Sequence, residues 1–408
     1  PRVVDTAYYV APPDFGNDGN TGSINDPFAT IQHAIDLSTE PVVINISVGT
    51  YHENLTLDSG TMLIGGWSDN FSTRWDFINN DITQDIDFET VIDGDQAGRC
   101  ITADSVQDVL ISGVTLTHGN AGAYDQGGSA LYIGSCSPEI MLCRITDNAT
   151  TSSNDIYGGA VYLDNSSPSI SRCLFSGNSA EGPHIKEGGA IYSYYSQPVI
   201  ERCMFINNHA GCNMGAGGAI YNHESDARII DCIFSQNSTG GYYSYGGAVY
   251  NESSDPEIIN CIFDRNTASG SYLSYGGAVY NRSSSPVITN CSFSWNQADI
   301  ECRISRGGAV YIDAGSSPTL TNTILWGDSA GLENELYIED GASPVITFCY
   351  EDDPLFVDPA SGDLHLQDGS GCIDAGTNDA LLIPCMDFEG DPRIIQGVID
   401  IGADEYAF

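Results

Sequence analysis

Carboxylates are the most numerous side chains in this sequence that could do chemistry. Its 408 residues include 55 Asp and Glu against 13 Lys and Arg, which gives a formal net charge of −42 at pH 7. Asp387, Asp391, Asp400 and Asp404 lie close together near the C-terminal end. Calcium prefers carboxylate oxygens, so we expect calcium at these four aspartates. Solubility at high salt is the other explanation of the charge, and both can hold.

Carboxylates also break glycosidic bonds when two of them flank the scissile bond as acid and base. The acidic residues at predicted strand positions, such as Asp231 and Glu257, do not form a repeated or clustered set. Asp352 and Asp353 are adjacent, so on a strand they would point to opposite faces. The seven histidines are scattered, and no Ser–His–acid arrangement is recognisable. The sequence therefore names no catalytic residue.

Tyrosines in variable inserts form a second set with binding chemistry. Their rings could stack on neutral sugars or be buried against another protein. The tyrosines concerned are Tyr194, Tyr195, Tyr242, Tyr243, Tyr245, Tyr272 and Tyr275. The alternative is that these rings pack on one another and cover a flank. Because the net charge repels nucleic acid, anionic lipid and uronic-acid polymers, we expect neutral glycans, proteins or further copies of the chain as partners.

The elements that position these residues repeat along the chain. Aligned tyrosines recur every 29 to 31 residues, at Tyr132, Tyr162, Tyr192, Tyr221, Tyr250, Tyr280 and Tyr311. Each copy holds three short apolar runs bounded by Gly, Ser, Pro and Asn, as at residues 278–280, 287–288 and 291–293. Runs this short predict strands, and strands that recur with this period stack on their own copies. The sequence therefore predicts an all-β fold, a parallel β-helix with three strands in each coil.

Cysteine and phenylalanine columns mark the interior of the predicted coil. Cys291 and Phe293 close one copy, and the same two positions recur in earlier copies. Parallel strands lie about 4.8 Å apart, which is too far for a disulfide between stacked cysteines. We therefore expect buried thiols in this column. Cys372 and Cys385 bracket a compact terminal segment and form the predicted disulfide.

Two stretches resemble known families. The phrase Gly276-Gly277-Ala278-Val279, with Phe293 and Asn296 after it, resembles right-handed parallel β-helix repeat proteins, including the repeats of chlamydial polymorphic membrane proteins. The strings Cys372-Ile373-Asp374-Ala375-Gly376 and Asp400-Ile401-Gly402-Ala403-Asp404 resemble the choice-of-anchor Q module of surface β-helix proteins. These resemblances imply a right-handed helix, an extracellular or cell-surface location, and a C-terminal cap over the last coil.

The start of the chain resembles exported bacterial β-helix proteins, some of them polysaccharide lyases, through Tyr8-Tyr9-Val10 and Gly49-Thr50-Tyr51-His52-Glu53. Lyases of that architecture use Lys or Arg as a base beside calcium and act on acidic sugars. Lys186 is the only lysine and lies in a predicted loop. The resemblance therefore implies a fold, while lyase chemistry is poorly provided for.

We divide the chain into four predicted regions. Residues 1–41 form an N-terminal cap with a short amphipathic helix, and residues 42–127 form irregular rungs. Residues 128–353 form the regular repeats, and residues 354–408 form the C-terminal cap. No apolar run approaches the length needed to span a membrane. The chain begins at Pro1 without an apolar leader, as a mature exported protein would.

Sequons for N-glycosylation occur along the chain, and an exported protein could carry glycans there. They include Asn54, Asn70, Asn148, Asn165, Asn237, Asn251 and Asn281. The function that we predict from the sequence is structural or adhesive, at a cell surface, in a filament or surface layer or as a face for glycans and proteins. The alternative is a carbohydrate-active β-helix enzyme, a glycosidase or lyase, acting on a neutral polysaccharide.

Overall fold

The chain folds as a right-handed parallel β-helix, which confirms the predicted fold class. The structure is a computed structural model that describes residues 6–39, 41–75, 82, 88–122, 127–151, 155–182, 184–395 and 397–406. Four parallel sheets run along the stack, and one antiparallel pair of strands follows it. The fourth sheet is formed by the inserts between rungs, which the sequence places at one edge. No helix in the described ranges is long and apolar enough to cross a membrane.

The first two sheets are built from short strands that pair in order along the stack. Sheet 1 contains Thr6–Val10, Val42–Ser47, Thr61–Trp67, Leu110–Ser112, Glu139–Met141, Ser169–Ser171, Val199–Glu201, Arg228–Ile230, Glu257–Ile259, Val287–Thr289, Thr319–Thr321 and Val345–Thr347. Sheet 2 contains Leu55–Thr56, Ile101–Asp104, Leu131–Gly134, Val161–Asp164, Ile191–Tyr194, Ile220–His223, Val249–Glu252, Val279–Arg282, Val310–Ile312 and Leu336–Ile338. Sheet 2 carries the aligned tyrosines.

The other sheets form two further flanks and a C-terminal pair. Sheet 3 contains Gly49–His52, Thr90–Asp93, Thr115–Thr117, Arg144–Thr146, Leu174–Ser176, Met204–Ile206, Ile233–Ser235, Ile262–Asp264, Ser292–Ser294 and Ile324–Trp326. Sheet 4 contains Ala149–Thr151, Ile156–Tyr157, Ser179–Glu181, Ile185–Glu187, His209–Ala216, Ser238–Tyr245, Thr267–Tyr275, Gln297–Ala298 and Ile304–Arg306. The antiparallel pair consists of Phe356–Asp358 and Asp363–Leu366.

Identical side chains stack because each residue pairs in register with its counterpart one coil away. Tyr192 pairs with Tyr221, and Phe205 pairs with Phe234. The rings of Phe205 and Phe234 lie parallel inside the coil with centroids 4.8 Å apart, and both side chains are fully buried. The ladder cysteines are buried free thiols beside this column, as predicted. Close-packed repetition of one apolar layer therefore forms a continuous core.

Asparagine side chains satisfy the backbone at a buried corner of each coil. Asn237 Nδ2 donates to the carbonyl of Phe205 at 2.8 Å and to Asn266 Oδ1 at 3.0 Å. Its own Oδ1 accepts hydrogen bonds from the backbone and the side chain of Asn208. Buried polar groups are stable only when they are hydrogen-bonded in this way. The predicted asparagine ladder is therefore a structural column.

A short helix, Ile31–Asp36, packs against the first coil. Ile31, Ala34 and Ile35 are buried, so one face of the helix joins the core. The carboxylate of Glu53 accepts hydrogen bonds from the first N–H groups of the helix, those of Ile31 and Gln32, at 2.8 and 2.9 Å. These N–H groups have no partner inside the helix, so Glu53 fixes the helix to the stack.

The C-terminal region does not cover the last coil, contrary to the prediction. It packs along sheet 3, where Ser292 accepts a hydrogen bond from the N–H of Ala403 and Asn260 donates to the carbonyl of Met386. The final rung keeps Val345 and Phe348 more than half exposed. Apolar side chains of sheet 3 provide a surface that buries the C-terminal residues. The described C-terminal residues therefore pack against the side of the β-helix, along sheet 3.

Two further predictions disagree with the structure. Cys372 and Cys385 are free thiols and form no disulfide. Cys372 is buried in the C-terminal core, whereas Cys385 is exposed. Among the predicted glycosylation sites, four asparagines are fully buried in ladders and cannot carry a glycan in the folded chain: Asn148, Asn237, Asn251 and Asn281. The other three are exposed and stay predictions: Asn54, Asn70 and Asn165.

Candidate active site

Two columns of varied residues run on either side of the tyrosine ladder. The column at the C-terminal end of the sheet 2 strands reads Asp164, Tyr194, His223, Glu252 and Arg282 in register. The column at the C-terminal ends of the inserts reads Tyr157, Glu187, Ala216, Tyr245, Tyr275 and Arg306. Because the pairing places equivalent positions one above another, residues distant in sequence meet there. We call these the strand-end column and the insert-end column.

The tyrosine ladder forms the floor between the two columns. Successive rings are stacked, with centroids 5.4 Å apart for Tyr162 and Tyr192, 5.2 Å for Tyr192 and Tyr221, and 4.6 Å for Tyr221 and Tyr250. Offset stacks of this kind are favourable, and the ladder rings are buried, with Tyr192 4% and Tyr221 2% exposed. The ladder is therefore a rigid aromatic layer beneath the two columns.

A cavity of about 290 Å³ opens on this floor, and Tyr157, Tyr162, Tyr192, Tyr194 and His223 line it. In the insert-end column the position beside Tyr221 is alanine, Ala216, where neighbouring rungs carry larger side chains. Ala216 is buried and lies outside the lining of the cavity. Aromatic walls around a concavity of this size suit a small, partly apolar ligand.

Two carboxyl groups meet at one hydroxyl beside the cavity. Tyr221 donates a hydrogen bond from its hydroxyl to Glu252 Oε2 at 2.5 Å, and the carboxyl of Glu187 interacts with the same hydroxyl. Glu187 pairs in register with Tyr157, and Glu252 Oε2 lies 3.5 Å from His223 Nδ1. Both carboxyls are thus direct neighbours of residues that line the cavity.

The two carboxyls differ in their surroundings. Glu187 is only 7% exposed, and burial, followed by the charge of Glu252, raises the pKa of Glu187 to about 8. Glu252 is flanked by Arg282, whose guanidinium lies 3.0 Å from Glu252 Oε1, and by His223. At neutral pH the raised pKa keeps a proton on Glu187. A carboxyl that keeps its proton beside a second carboxyl held by an arginine is a pair that acid–base chemistry can use.

The sequence singles out neither carboxyl, and Lys186, predicted in a loop, is a fully buried strand residue. One of the predicted tyrosines, Tyr194, lines the cavity, and Tyr195 contacts it with ring centroids 4.4 Å apart. Tyr245 and Tyr275 belong to the insert-end column, further along the stack. Residues that vary in chemical type at one repeat position are the signal that could have revealed the site.

Three of the predicted tyrosines form a separate group at the tips of two inserts. The rings of Tyr242 and Tyr272 are stacked with centroids 5.0 Å apart, and Tyr243 meets both edge-on. Tyr242 is 44% exposed, and Arg303 lies over the ring of Tyr272. This group, the insert-tip tyrosines, is an exposed aromatic patch outside the cavity.

The four aspartates predicted to hold calcium lie in the C-terminal region, and the carboxylates of Asp387, Asp400 and Asp404 accept hydrogen bonds from its backbone. Asp387 Oδ1 accepts hydrogen bonds from three N–H groups, including that of Asp391, and Asp400 accepts two. Asp404 Oδ2 accepts one from Leu366. Arg393, fully buried, supplies positive charge beside Asp387, Asp400 and Asp404. Calcium at these residues stays a prediction.

Comparison with known proteins assigns the fold. The sequence matches the family model described as "right handed beta helix region" over residues 67–252 and 213–350. Residues 15–64 match a model described as a protein of unknown function, DUF1565. A search of curated proteins finds no match.

Solved structures with a similar fold include enzymes that are named for their action on carbohydrates. One is the pectate lyase Pel9A, 14% identical, with a TM-score of 0.58 over 99% of this chain and 97% of that chain. Another is the pectin methylesterase of Aspergillus niger, 14% identical, with a TM-score of 0.38 over 84% of this chain and 87% of that chain. At these identities the similarity shows a shared fold and nothing finer.

Proposed function

We propose that this chain, which belongs to the right-handed β-helix family, is a carbohydrate-active enzyme that hydrolyses glycosidic bonds in a neutral polysaccharide. One observation carries the proposal. A buried, protonated Glu187 and an arginine-paired Glu252 share the hydroxyl of Tyr221 beside a tyrosine-walled cavity. The pectate lyase Pel9A supports it only in that the same fold serves saccharide chemistry in that protein.

The two carboxyls have the roles that glycoside hydrolysis needs. Glu187 would give its proton to the leaving oxygen while a carboxylate oxygen of Glu252 bonds to the anomeric carbon. Glu187 would then take a proton from water, and the water oxygen would displace Glu252. Two carboxyls that contact one hydroxyl lie within about 6 Å of each other. That separation corresponds to enzymes that retain the anomeric configuration.

The aromatic floor explains the substrate class. Tyrosine rings can stack against the apolar faces of sugar rings, and the half-buried Tyr157 and Tyr194 line the cavity beside the carboxyls. A net charge of −42 repels polymers of uronic acids. A neutral polysaccharide fits both properties.

The proposal is tested by incubating the protein with neutral oligosaccharides and following the reducing ends released. Glu187→Gln and Glu252→Gln should each reduce turnover by a factor of about a hundred or more, while binding measured by calorimetry persists. The control is Glu139→Gln, an exposed strand carboxylate on sheet 1, and it should match the wild type. Equal turnover in Glu187→Gln and in this control would refute the assignment. Anomeric analysis of the product should show retention.

A second candidate function is that of an extracellular scaffold or adhesin, including a filament or surface-layer subunit. The observation that favours a binding role is the insert-tip group of Tyr242, Tyr243 and Tyr272, which is exposed and stacked. Export to the cell surface, calcium binding, and the anchoring role implied by the choice-of-anchor Q resemblance belong to this proposal. Saturable glycan binding without cleavage, abolished by Tyr242→Ala, would favour it over the enzyme.

A further inference from the structure

Three separate segments of the C-terminal region bring a histidine and two carboxylates together. His365 lies on the strand Asp363–Leu366, Glu389 lies in the turn after Asp387, and Asp404 lies near the end of the described chain. One ligand atom from each of His365, Glu389 and Asp404 falls within 4.8 Å of the others. Glu389 is part of no regular element, so the convergence arises from the way the region folds against sheet 3.

The imidazole of His365 is oriented by a fourth residue. Its Nδ1 lies 2.5 Å from Asp363 Oδ1, and its Nε2 lies 2.7 Å from Glu389 Oε2. Asp404 is buried, and one of its oxygens accepts the N–H of Leu366 at 2.9 Å. A carboxylate that holds one imidazole nitrogen while the other faces further ligands is the usual outer-shell arrangement of metal-binding histidines.

A cavity of about 270 Å³ adjoins this cluster and provides an independent sign of a ligand. Asp363, His365 and Phe388 line one side, and Asp264 and Arg265 of sheet 3 line the other. The side chain of Asp264 is 5% exposed. Its Oδ2 accepts a hydrogen bond from Arg265, whereas its Oδ1 has no hydrogen-bond partner. A buried acceptor without a donor calls for a bound group, and water molecules on a metal ion supply such donors.

We propose that His365, Glu389 and Asp404 bind a divalent first-row transition metal ion, Zn²⁺ or Mn²⁺, with Asp363 as the positioning residue of His365. The donor set of one imidazole nitrogen and two carboxylates suits these ions. Asp404 is also one of the four aspartates predicted to hold calcium. Ca²⁺ takes oxygen ligands almost alone, so the imidazole of His365 favours a transition metal over calcium at this site. The proposal is independent of the saccharide chemistry, because it concerns other residues on another flank.

The metal would hold three segments of the C-terminal region together. Its ligands come from the strand Asp363–Leu366, from the turn at Glu389 and from the segment at Asp404. One ion would therefore crosslink three segments that have no disulfide between them. Binding to the folded state alone raises the melting temperature.

Calorimetric titration of the whole, chelator-treated protein with ZnCl₂, and separately with MnCl₂, tests the proposal. A second histidine cluster, His52 with Asp93 and Asp95, is exposed and could bind a further ion. We expect His365→Ala and Glu389→Gln each to remove one binding event, whereas the matched control His52→Ala leaves that event intact. Asp363→Asn should weaken the affinity about 10-fold to 100-fold without changing the stoichiometry.

The melting temperature of each variant in chelator shows whether it folds. Glu389 is 45% exposed, so Glu389→Gln keeps the test open if His365→Ala unfolds. Zn²⁺ or Mn²⁺ should raise the melting temperature of the wild type and of His52→Ala, and CaCl₂ should not do so through this site. The proposal would be overturned if the wild type bound no metal ion, or if His365→Ala and Glu389→Gln bound as many ions as the wild type.

Discussion

Substituting Glu187 with glutamine should change how the stability of the protein depends on pH. Burial and the charge of Glu252 raise the pKa of Glu187 from its ordinary value of 4.5 to about 8. In the folded chain the group therefore binds a proton that it would release when unfolded. A raised carboxyl pKa contributes stability that is complete below pH 4.5 and is lost as the pH rises towards about 8.

The size of the effect follows from that shift. One pKa unit corresponds to about 1.4 kcal/mol, and linkage over the window from about pH 5 to about pH 8 removes about 3 kcal/mol of the free energy of unfolding. Glu187→Gln carries no titrating proton and should lack this part of the pH dependence. Glu252→Gln should reduce it, because it removes the second cause of the raised pKa.

The assay is urea unfolding of the wild type and both variants at about pH 5 and about pH 8. Glu139→Gln, on exposed surface, should keep the pH dependence of the wild type. The reasoning fails if Glu187→Gln loses as much stability between the two pH values as the wild type does. In that case Glu187 would be ionised in the folded chain and could not donate a proton in the proposed hydrolysis.

Three further predictions test the site and the fold. Tyr194→Ala should remove part of the cavity wall and lower turnover at least 10-fold with both carboxyls intact, measured with the same oligosaccharides; unchanged turnover would place the substrate elsewhere. Asn237→Ala should leave buried ladder groups unpaired and cost about 3 kcal/mol of unfolding free energy in urea; an unfolding free energy equal to that of the wild type would contradict it. Arg393→Met removes a buried cation from among carboxylates and should cost about 3–5 kcal/mol, seen as faster proteolysis of the C-terminal region; equal cleavage rates would contradict it.

The repeat could be predicted in detail because side chains that stack in columns must be of the same type in successive coils. Tyr221 can rest on Tyr250, and Phe205 on Phe234, only when the same ring recurs at the same position. The period and the columns in the sequence therefore determine the register of the sheets. Asn237 follows the same rule, since its amide bonds to the asparagine of the next coil. Where identity is a packing requirement, the sequence displays it.

The C-terminal region could not be placed by the same reasoning. It has no repeat, and its contacts with sheet 3 join residues far apart in the chain, such as Asn260 with Met386. The sequence predicted a cap because an exposed strand edge is a liability. Apolar side chains on the outer face of sheet 3, including Ile262, provided a competing surface. A lateral contact of this kind leaves no periodic signal.

The candidate active site could not be predicted because its residues do not repeat from coil to coil, whereas the core residues do. Glu187 and Glu252 lie in columns that flank the ladder, and neither residue recurs at its position. Side chains in these columns do not need to match the coil above, so each rung can carry a different group. The rigid ladder beneath holds those groups at fixed spacings without constraining their identity. A repeat fold can therefore keep its core uniform while the columns beside three successive rungs bring two carboxyls and a cavity together. In such a repeat protein we therefore expect functional residues at positions where the strand pairing stays in register but the residue type changes from one coil to the next.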